Sequence, residues 1–389
     1  MIRRMEYLQS KICIVGGGPA GATASLFLSR YGIPHLLVDK AHFPRDKVCG
    51  ESFDGRVYRI LEELSPDYLP SLEAEGQLMK TWNYRFLSAR IDLPVHFPAT
   101  SLPRLSLARA DLDHFLHEQL RRSPYANVLY GYPVQDVCRQ GSGFRLQGKN
   151  FRIDAELVLM ATGAQPMPAD DPSLFLFSRT YYDLPEPLED KGLEVYYFEQ
   201  PVKGCLFLCP LSRGRYNVEI GVQQAAYKAG GIGMEALLQA YIRSRPELAQ
   251  RFSAGRPLGN AKGTGMLLRS KKRWTDDGLI FIGSGAFCVN PITGLGVGNA
   301  MTMGKLAAGA IRDHIDHPFF LKAVSAAYRR SARRKFRRIL AINRMVNIIH
   351  RQFFLFEPLL SHFLRRTAVR KLLLRNDLLK KRERLVRGS

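Results

Sequence analysis

The chain has 389 residues, of which 57 are Lys or Arg and 35 are Asp or Glu, giving a formal net charge of +22 at pH 7. That length accommodates two or three structural units and a large buried core. A 46% hydrophobic content with 33 Gly and 22 Pro excludes a disordered or low-complexity chain. No run of about 18 uncharged apolar residues occurs, which argues against a spanning helix, and no apolar signal core precedes the first strand. Six scattered Cys without zinc-type spacing fit reduced thiols in a cytoplasm.

In chain order, Lys11 to Gly16 is a short apolar strand, Ala20 to Arg30 a helix closed by Gly32, and His35 to Asp39 a second strand. Together they predict the first βαβ unit of a doubly wound sheet. Phe53 to Leu64 reads as helix, and Leu87 to His96 and Leu102 to Leu107 as extended chain. Asp111 to Leu120 reads as a helix capped by Asp111. Val128 to Val137 and Phe144 to Ile153 alternate like strands, and Leu157 to Met160 is a buried strand. Leu174 to Val222 carries strand-like runs and aromatics that suggest an antiparallel sheet inserted between parts of the first domain. Met234 to Tyr241 is helical, Leu279 to Ile282 is another apolar strand, and a Gly-rich loop leads to a helix from Gly296 to Ile311. Everything after Pro318 reads helical.

Ile14-Val15-Gly16-Gly17-Gly18-Pro19-Ala20-Gly21 contains G-x-G-x-x-G between a strand and a helix. Gly16 permits the tight turn, Gly18 lets the backbone approach a pyrophosphate, and Gly21 lets the helix pack close to the sheet, while the helix N-terminus supplies amide donors and a partial positive charge. Asp39 follows Gly21 by 18 positions at the end of the second strand, where an acid can hydrogen-bond a ribose hydroxyl. The motif predicts dinucleotide binding without separating NAD from FAD. His114 and His117 share a helix face but lack a third ligand, so no metal is expected. No Gly-x-Ser-x-Gly elbow is present.

The charge is concentrated at one end. From Arg329 to Ser389 there are 19 Lys and Arg against three acids, so +16 of the +22 lies in the last 61 residues. These charges alternate with large apolar residues such as Ile339, Met345 and Phe353, and no nucleic-acid-binding motif accompanies them. The candidate partners are an anionic membrane surface and an acidic carrier protein, with nucleic acid excluded.

The segment from Gly278 to Met301, a strand followed by Gly283-Ser284-Gly285 and then by Pro291-Ile292-Thr293-Gly294-Leu295-Gly296-Val297-Gly298, resembles the second flavin-binding segment of the flavoprotein group that contains para-hydroxybenzoate hydroxylase, geranylgeranyl reductases and flavin-dependent halogenases. The resemblance spans roughly residues 10–315. It implies FAD as cofactor, with NAD(P)H or a reduced electron carrier as reductant. It implies an α/β fold: a discontinuous Rossmann-like FAD-binding domain (8–80, 104–165 and 260–315), an inserted antiparallel β-sheet substrate domain (81–103 and 166–259) and a basic helical C-terminal region (316–389). The group carries Asp where this chain has Ser284, and its hydroxylases carry Asp-Gly where this chain has Thr162-Gly163. Arg109 falls in a segment similar to the group's Arg-x-x-Leu-Asp and is implied to lie near the flavin's ribityl or phosphate side.

Phe43-Pro44-Arg45-Asp46-Lys47-Val48-Cys49-Gly50-Glu51-Ser52 is similar to the Pro-Arg-Asp-Lys-x-Cys-Gly segment of geranylgeranyl reductases. The cofactor-binding set implied is therefore Gly16, Gly18, Pro19, Ala20, Gly21, Asp39, Lys40, Lys47, Arg109, Thr162, Gly163, Gly283, Ser284, Pro291, Gly294, Gly296 and Val297, with Cys49 and Glu51 on the substrate side. Halogenases keep Trp-x-Trp where this chain has Cys205 and Phe207, which argues against halogenation, and Lys80 reads as a surface residue rather than a halogenating lysine. The expected activity is reduction of C=C bonds in a hydrophobic isoprenoid or lipid-like substrate by hydride from reduced FAD. A monooxygenase acting on an aromatic or polyene substrate is the alternative, and a halogenase the remoter one. The expected location is the cytoplasm, at the inner face of the membrane.

Overall fold

The computed structural model describes residues 5–89, 92–98, 100–163, 174–185, 192–267, 274–276, 278–286 and 296–350. The first third of the chain forms β1 (Glu6–Val15), α1 (Pro19–Arg30), β2 (His35–Asp39), β3 (Ser52–Phe53), α2 (Gly55–Leu64), α3 (Tyr68–Ala74), β4 (Met79–Thr81), β5 (Asn83–Leu87), β6 (Asp92–His96), β7 (Arg104–Ser106) and α4 (Arg109–Arg121). The strands β8 (Ala126–Tyr130), β9 (Asp136–Gln140), β10 (Gly143–Gly148) and β11 (Phe151–Met160) follow, then β12 (Leu174–Asp183), β13 (Leu193–Phe198), β14 (Gly204–Pro210) and β15 (Arg215–Gln223). The rest comprises α5 (Gln224–Gly230), α6 (Met234–Ser244), α7 (Pro246–Ser253), β16 (Arg256–Pro257), β17 (Lys262–Leu267), β18 (Thr275–Asp276), β19 (Leu279–Phe281), a 3-10 turn at Gly283–Gly285, α8 (Val297–Arg312) and α9 (Phe320–His350).

One sheet has the order β18-β19-β11-β1-β2-β8, and β19, β11, β1, β2 and β8 run parallel. Strands β10 and β9 extend β11 antiparallel. Residues of β1 alternate between two cores: Ile12 and Ile14 join the cluster under α1, α4, α8 and α9, while Cys13 and Val15 join Leu36, Val38 and Phe144 on the opposite face. Burial on both faces is why β1 ends as a continuous apolar run rather than an amphipathic alternation. Helix α8 lies directly on α1, where a Cβ on Gly304 would stand 2.3 Å from the Ala20 carbonyl oxygen, so the small residue sets the closeness of the two helices.

The second sheet has the order β16-β12-β15-β14-β13-β5-β6, with β17 on the edge of β12. One face carries Leu206, Leu208, Val218, Ile220 and Val222 against α6 and α7. The opposite face, fixed by the two-residue period of the strands, turns toward the nucleotide-binding half. Helix α9 closes the first core through Val324, Tyr328, Ala332 and Phe336, a four-residue stripe of one helix face. The Tyr328 hydroxyl donates to the Phe281 carbonyl at 2.8 Å.

Several expected elements resolve differently. Phe144 to Ile153 is a hairpin, β10 turning into β11, because two residues between the strands suffice to reverse the chain. Leu87 to His96 is likewise divided, with β5 and β6 paired antiparallel. Val128 to Val137 spans the end of β8 and the start of β9. Asp111 is not the cap of its helix: α4 starts at Arg109, and Asp111 lies within the first turn. Residues 262–267, placed by sequence with the FAD segments, pair with β12 and extend the inserted sheet.

Candidate functional site

The carboxyl ends of β1, β11 and β19 meet in one crevice, the position where open parallel sheets bind nucleotides. The Ala161 amide donates to the Val15 carbonyl at 2.8 Å, and the Ile282 amide to the Met160 carbonyl at 3.0 Å. Gly16 has φ +105, and a Cβ there would stand 2.4 Å from the Ala161 oxygen. Only glycine combines that conformation with that closeness. A Cβ on Gly21 would stand 1.8 Å from the Gly16 oxygen, so the turn and the first turn of α1 share one tight contact. Gly18 is the N-cap of α1 with Pro19 following, which leaves the amides of this helix start directed outward.

Asp39 accepts hydrogen bonds from the Gly17 amide at 2.6 Å and the Ala41 amide at 2.7 Å. Its carboxylate therefore holds the Gly-rich turn against the end of β2 as well as standing where a ribose would arrive. Lys40 follows it and is exposed. From the other side, the His117 ring is buried and stacks on Phe43 at 3.6 Å between centroids. Its Nε2–H donates to the Gly17 carbonyl at 2.7 Å, which leaves Nδ1 to accept from the Tyr130 hydroxyl at 2.8 Å. Burial pushes the His117 pKa below its ordinary value, in agreement with this neutral tautomer.

Arg45 brings the first cation to the turn. Its guanidinium lies 3.7 Å from where a Gly18 Cβ would be, and its Nε is buried with no hydrogen-bond partner. Lys47 and Arg109 stand nearby, and Asp113 is the acid among them. A glycine cradle, a helix start and an orphaned guanidinium nitrogen beside it fit the pyrophosphate of a dinucleotide. On the other wall, Thr162 is exposed at the end of β11 beside Gly163 with φ +79. Gly283, with φ +72, packs on Ala20, where a Cβ would be 3.0 Å from the Ala20 Cβ. Ser284 follows it and is exposed. Gly296 is the N-cap of α8 and Val297 its first residue. Pro291 and Gly294 lie outside the described residues. Gly16 and Gly21, Ala161, and Gly283, from three distant segments, thus come together at one crevice.

Arg109 is buried, and its guanidinium grips Asp113 in a two-pronged ion pair, Nε to Oδ1 at 3.1 Å and a terminal nitrogen to Oδ2 at 2.9 Å. Its backbone amide donates to Glu51 Oε1 at 2.9 Å. Through these bonds Arg109 ties α4 to the loop that carries Cys49 and Glu51.

Glu51 is fully buried, has φ 55, and belongs to no helix. Its Oε1 also accepts from the Tyr181 hydroxyl at 2.7 Å, and its Oε2 from the Asn217 amide nitrogen at 3.0 Å. The same Asn217 nitrogen reaches the Cys49 carbonyl at 2.6 Å. Burial pushes the thiol of Cys49 up, away from a reactive thiolate. Tyr181 lies opposite Asn217 across β12 and β15, and Arg179 lies opposite Glu219. Asp46 pairs with both Arg179 and Lys262. Burial raises the Asp46 pKa, but those two cations outweigh it and hold the carboxyl below its usual range. Beside this polar group, Phe86, Tyr197, Cys205 and Phe207 form a half-buried apolar stretch of the same sheet face. Lys80 sits away from it in an ion pair with Glu73.

A model of the FAD binding domain matches residues 9–308. The chain belongs to the FAD binding domain family. It is an FAD-dependent oxidoreductase, and its relatives include proteins named as reductases. It is 25% identical over 340 residues to a menaquinone reductase of Mycolicibacterium smegmatis, covering 77% of this chain and 76% of that protein. It is 25% identical over 346 residues to a digeranylgeranylglycerophospholipid reductase of Picrophilus torridus, covering 84% of each. Among solved structures, a flavin-dependent brominase superposes with a TM-score of 0.77 at 20% identity, covering 94% of this chain and 92% of the other. A geranylgeranyl bacteriochlorophyll reductase-like protein from Thermoplasma acidophilum gives 0.69 at 18%, covering 87% and 86%. At these identities the structural likeness carries the fold alone.

Within this FAD-binding fold, the residues that sequence reading missed are Arg45, His117, Arg179, Tyr181, Asn217 and Glu219. A signal for the last four exists: polar residues at alternate positions, 179 and 181 in one strand, 217 and 219 in another, with Thr180 and Val218 between them. Two-residue spacing places them on one face. What it cannot supply is the pairing of β12 with β15, which brings the two pairs together.

Proposed function

We propose that this flavoprotein reduces C=C bonds of an isoprenoid or similarly apolar lipid substrate, using reduced FAD regenerated by NAD(P)H or a reduced carrier. The observation that carries this reading is the sheet face opposite the nucleotide crevice. There an apolar stretch of Phe86, Tyr197, Cys205 and Phe207 adjoins the Cys49-Gly50-Glu51 loop, which suits a hydrocarbon chain better than a small polar ring. The relatives named as menaquinone and digeranylgeranylglycerophospholipid reductases support it, since both substrates carry isoprenoid chains. FAD supplies the hydride chemistry when bound, and the protein supplies orientation and exclusion of water. Anaerobic mixing of reduced holoprotein with menaquinone or digeranylgeranyl glycerophospholipid tests it: flavin absorbance returns and the isoprenoid chain, rather than the quinone ring, gains two hydrogens. Reoxidation only in air, with oxygen inserted into the product, supports the monooxygenase alternative instead.

The substrate is delivered from an anionic membrane surface. Arg329, Arg330, Arg333, Arg334 and Arg337 are exposed on α9, opposite its buried stripe, and each basic residue near such a surface contributes about 1 kcal/mol. Among the described residues no helix is long and apolar enough to cross a membrane. Truncation at 329 would strip Ala332 and Phe336 from the core, so charge reversal is the cleaner test. Arg329→Glu with Arg333→Glu is expected to release the protein from phosphatidylserine vesicles at 0.1 M salt while FAD stays bound. Binding unchanged by the reversal contradicts the docking, and capture of an acidic carrier protein in place of vesicles contradicts it equally.

A further inference from the structure

Two buried carboxyls face each other where the inserted sheet meets the Cys49–Glu51 loop. Glu219, on β15, is 6% exposed, and its Oε2 lies 3.3 Å from where a Gly50 Cβ would be. Glu51 is the next residue in that loop. Their surroundings differ sharply. Both oxygens of Glu51 accept hydrogen bonds, from the Arg109 amide, the Tyr181 hydroxyl and the Asn217 amide. Among the described residues nothing donates a hydrogen bond to Glu219. The other titratable or charged groups facing the pair are Arg179 and Asp46 toward β12, Cys205 and Cys209 on β14, and Cys49 in the loop. Asp46 occupies Arg179, whose Nε is left buried and unpartnered.

We infer that Glu219 is the proton donor of this site, with Glu51 as its ionised neighbour. The inference rests on the reading of the protein as a C=C reductase. Burial raises the Glu51 pKa, and the donors on both of its oxygens, with Arg179, oppose that rise and favour its ionised form over that of Glu219, which has no such donors. Two like charges that interact within one buried site are disfavoured, so one proton is retained between them. It settles on the carboxyl that has no donors. Burial, followed by the charge of Glu51, raises the Glu219 pKa to about 8 against the opposing pull of Arg179. Two carboxyls whose environments assign them opposite protonation states form an acid and an orienting partner.

Reduced FAD, when bound, would supply a hydride to one carbon of the double bond and be left oxidised, to be restored by a nicotinamide dinucleotide or a reduced carrier. The other carbon uses the π electron pair to form a C–H bond with the carboxyl proton of Glu219, whose O–H bond breaks. Glu219 is left ionised and regains a proton from water. The thiols of Cys205 and Cys209 are pushed up by burial, Cys205 to about 12, so neither competes as a thiolate base.

Infrared difference spectra of the oxidised holoprotein, without substrate, test the protonation state directly. Wild-type protein is expected to show a protonated-carboxyl stretch that vanishes as pH rises through about 8, and Glu219→Gln is expected to lack it. A spectrum with no such band, or one that Glu219→Gln leaves in place, overturns the inference whatever the substrate proves to be. With menaquinone or the archaeal lipid as probe, Glu219→Gln that retains full FAD is expected to reoxidise about 100-fold more slowly, and an unchanged rate overturns it. Glu51→Gln, by removing the neighbouring charge, moves the alkaline limb of the wild-type rate profile to lower pH. An unmoved limb contradicts the coupling. The titrating band together with failure to reduce either lipid would leave the acid pair standing and sink the reductase reading alone.

Discussion

The two walls of the site are built from different materials. The nucleotide crevice is backbone: glycines that tolerate no Cβ, helix-start amides, and the carboxyl ends of three parallel strands. The facing sheet is side chain: Arg179, Tyr181, Asn217 and Glu219 brought into one cluster by the register of β12 and β15. The first wall fails when an atom is added, the second when a functional group is exchanged at constant shape. The difference separates holding the cofactor from acting on the substrate, and substitutions should divide along the same line.

The largest expected effect is Gly21→Ala. A Cβ there would lie 1.8 Å from a backbone oxygen that cannot withdraw without distorting the turn. Purified protein is expected to carry no stoichiometric FAD in its visible spectrum, whereas Glu219→Gln carries it fully. Full flavin content in Gly21→Ala would break the comparison. Arg45→Ala comes next. Removing a guanidinium that faces the pyrophosphate position loses about 1.5–3 kcal/mol, so titration of apoprotein with FAD should show a Kd roughly tenfold to a hundredfold higher, with the apoprotein still folded.

The smallest effect belongs to His117→Phe. It keeps a ring on Phe43 but leaves the Gly17 carbonyl and the Tyr130 hydroxyl without their partner, for about 1–3 kcal/mol in urea unfolding. Its pH dependence sharpens the point. Because burial lowers the folded pKa of His117 below 6.5, the unfolded chain binds the extra proton first. The stabilisation is present above 6.5 and is lost as pH falls below it. Wild-type protein should therefore lose more stability than His117→Phe between about pH 6.5 and 5, and equal losses would remove His117 from the account.

The crevice was legible because its physics is local. A turn requiring positive φ, a helix that must approach a strand, and an acid at the end of the next strand all leave marks within thirty residues, as at Gly16, Gly21 and Asp39. The second flavin segment at Gly283 and Gly296 was found only by resemblance, since nothing in its spacing ties it to a turn some 260 residues earlier. Arg109 was placed at the site, yet its pairing with Asp113 and its backbone bond to Glu51 give it a positioning role between α4 and the substrate loop. The polar face of the inserted sheet stayed hidden for a further reason. Alternation in β12 and β15 reports two faces, but which face meets the flavin side depends on how β5 and β6, some hundred residues away, join the same sheet. The sequence around His117 suggests at most a metal ligand without partners, and its role in holding the Gly17 carbonyl comes from a contact spanning 100 residues.

One experiment reaches the central claim most directly. Holoprotein reduced under nitrogen is mixed with an isoprenoid lipid, and the lipid is weighed by mass spectrometry after the flavin has reoxidised. The expected product is two hydrogens heavier and forms without oxygen. A flavin that stays reduced until air is admitted, with a product heavier by one oxygen atom, would contradict it.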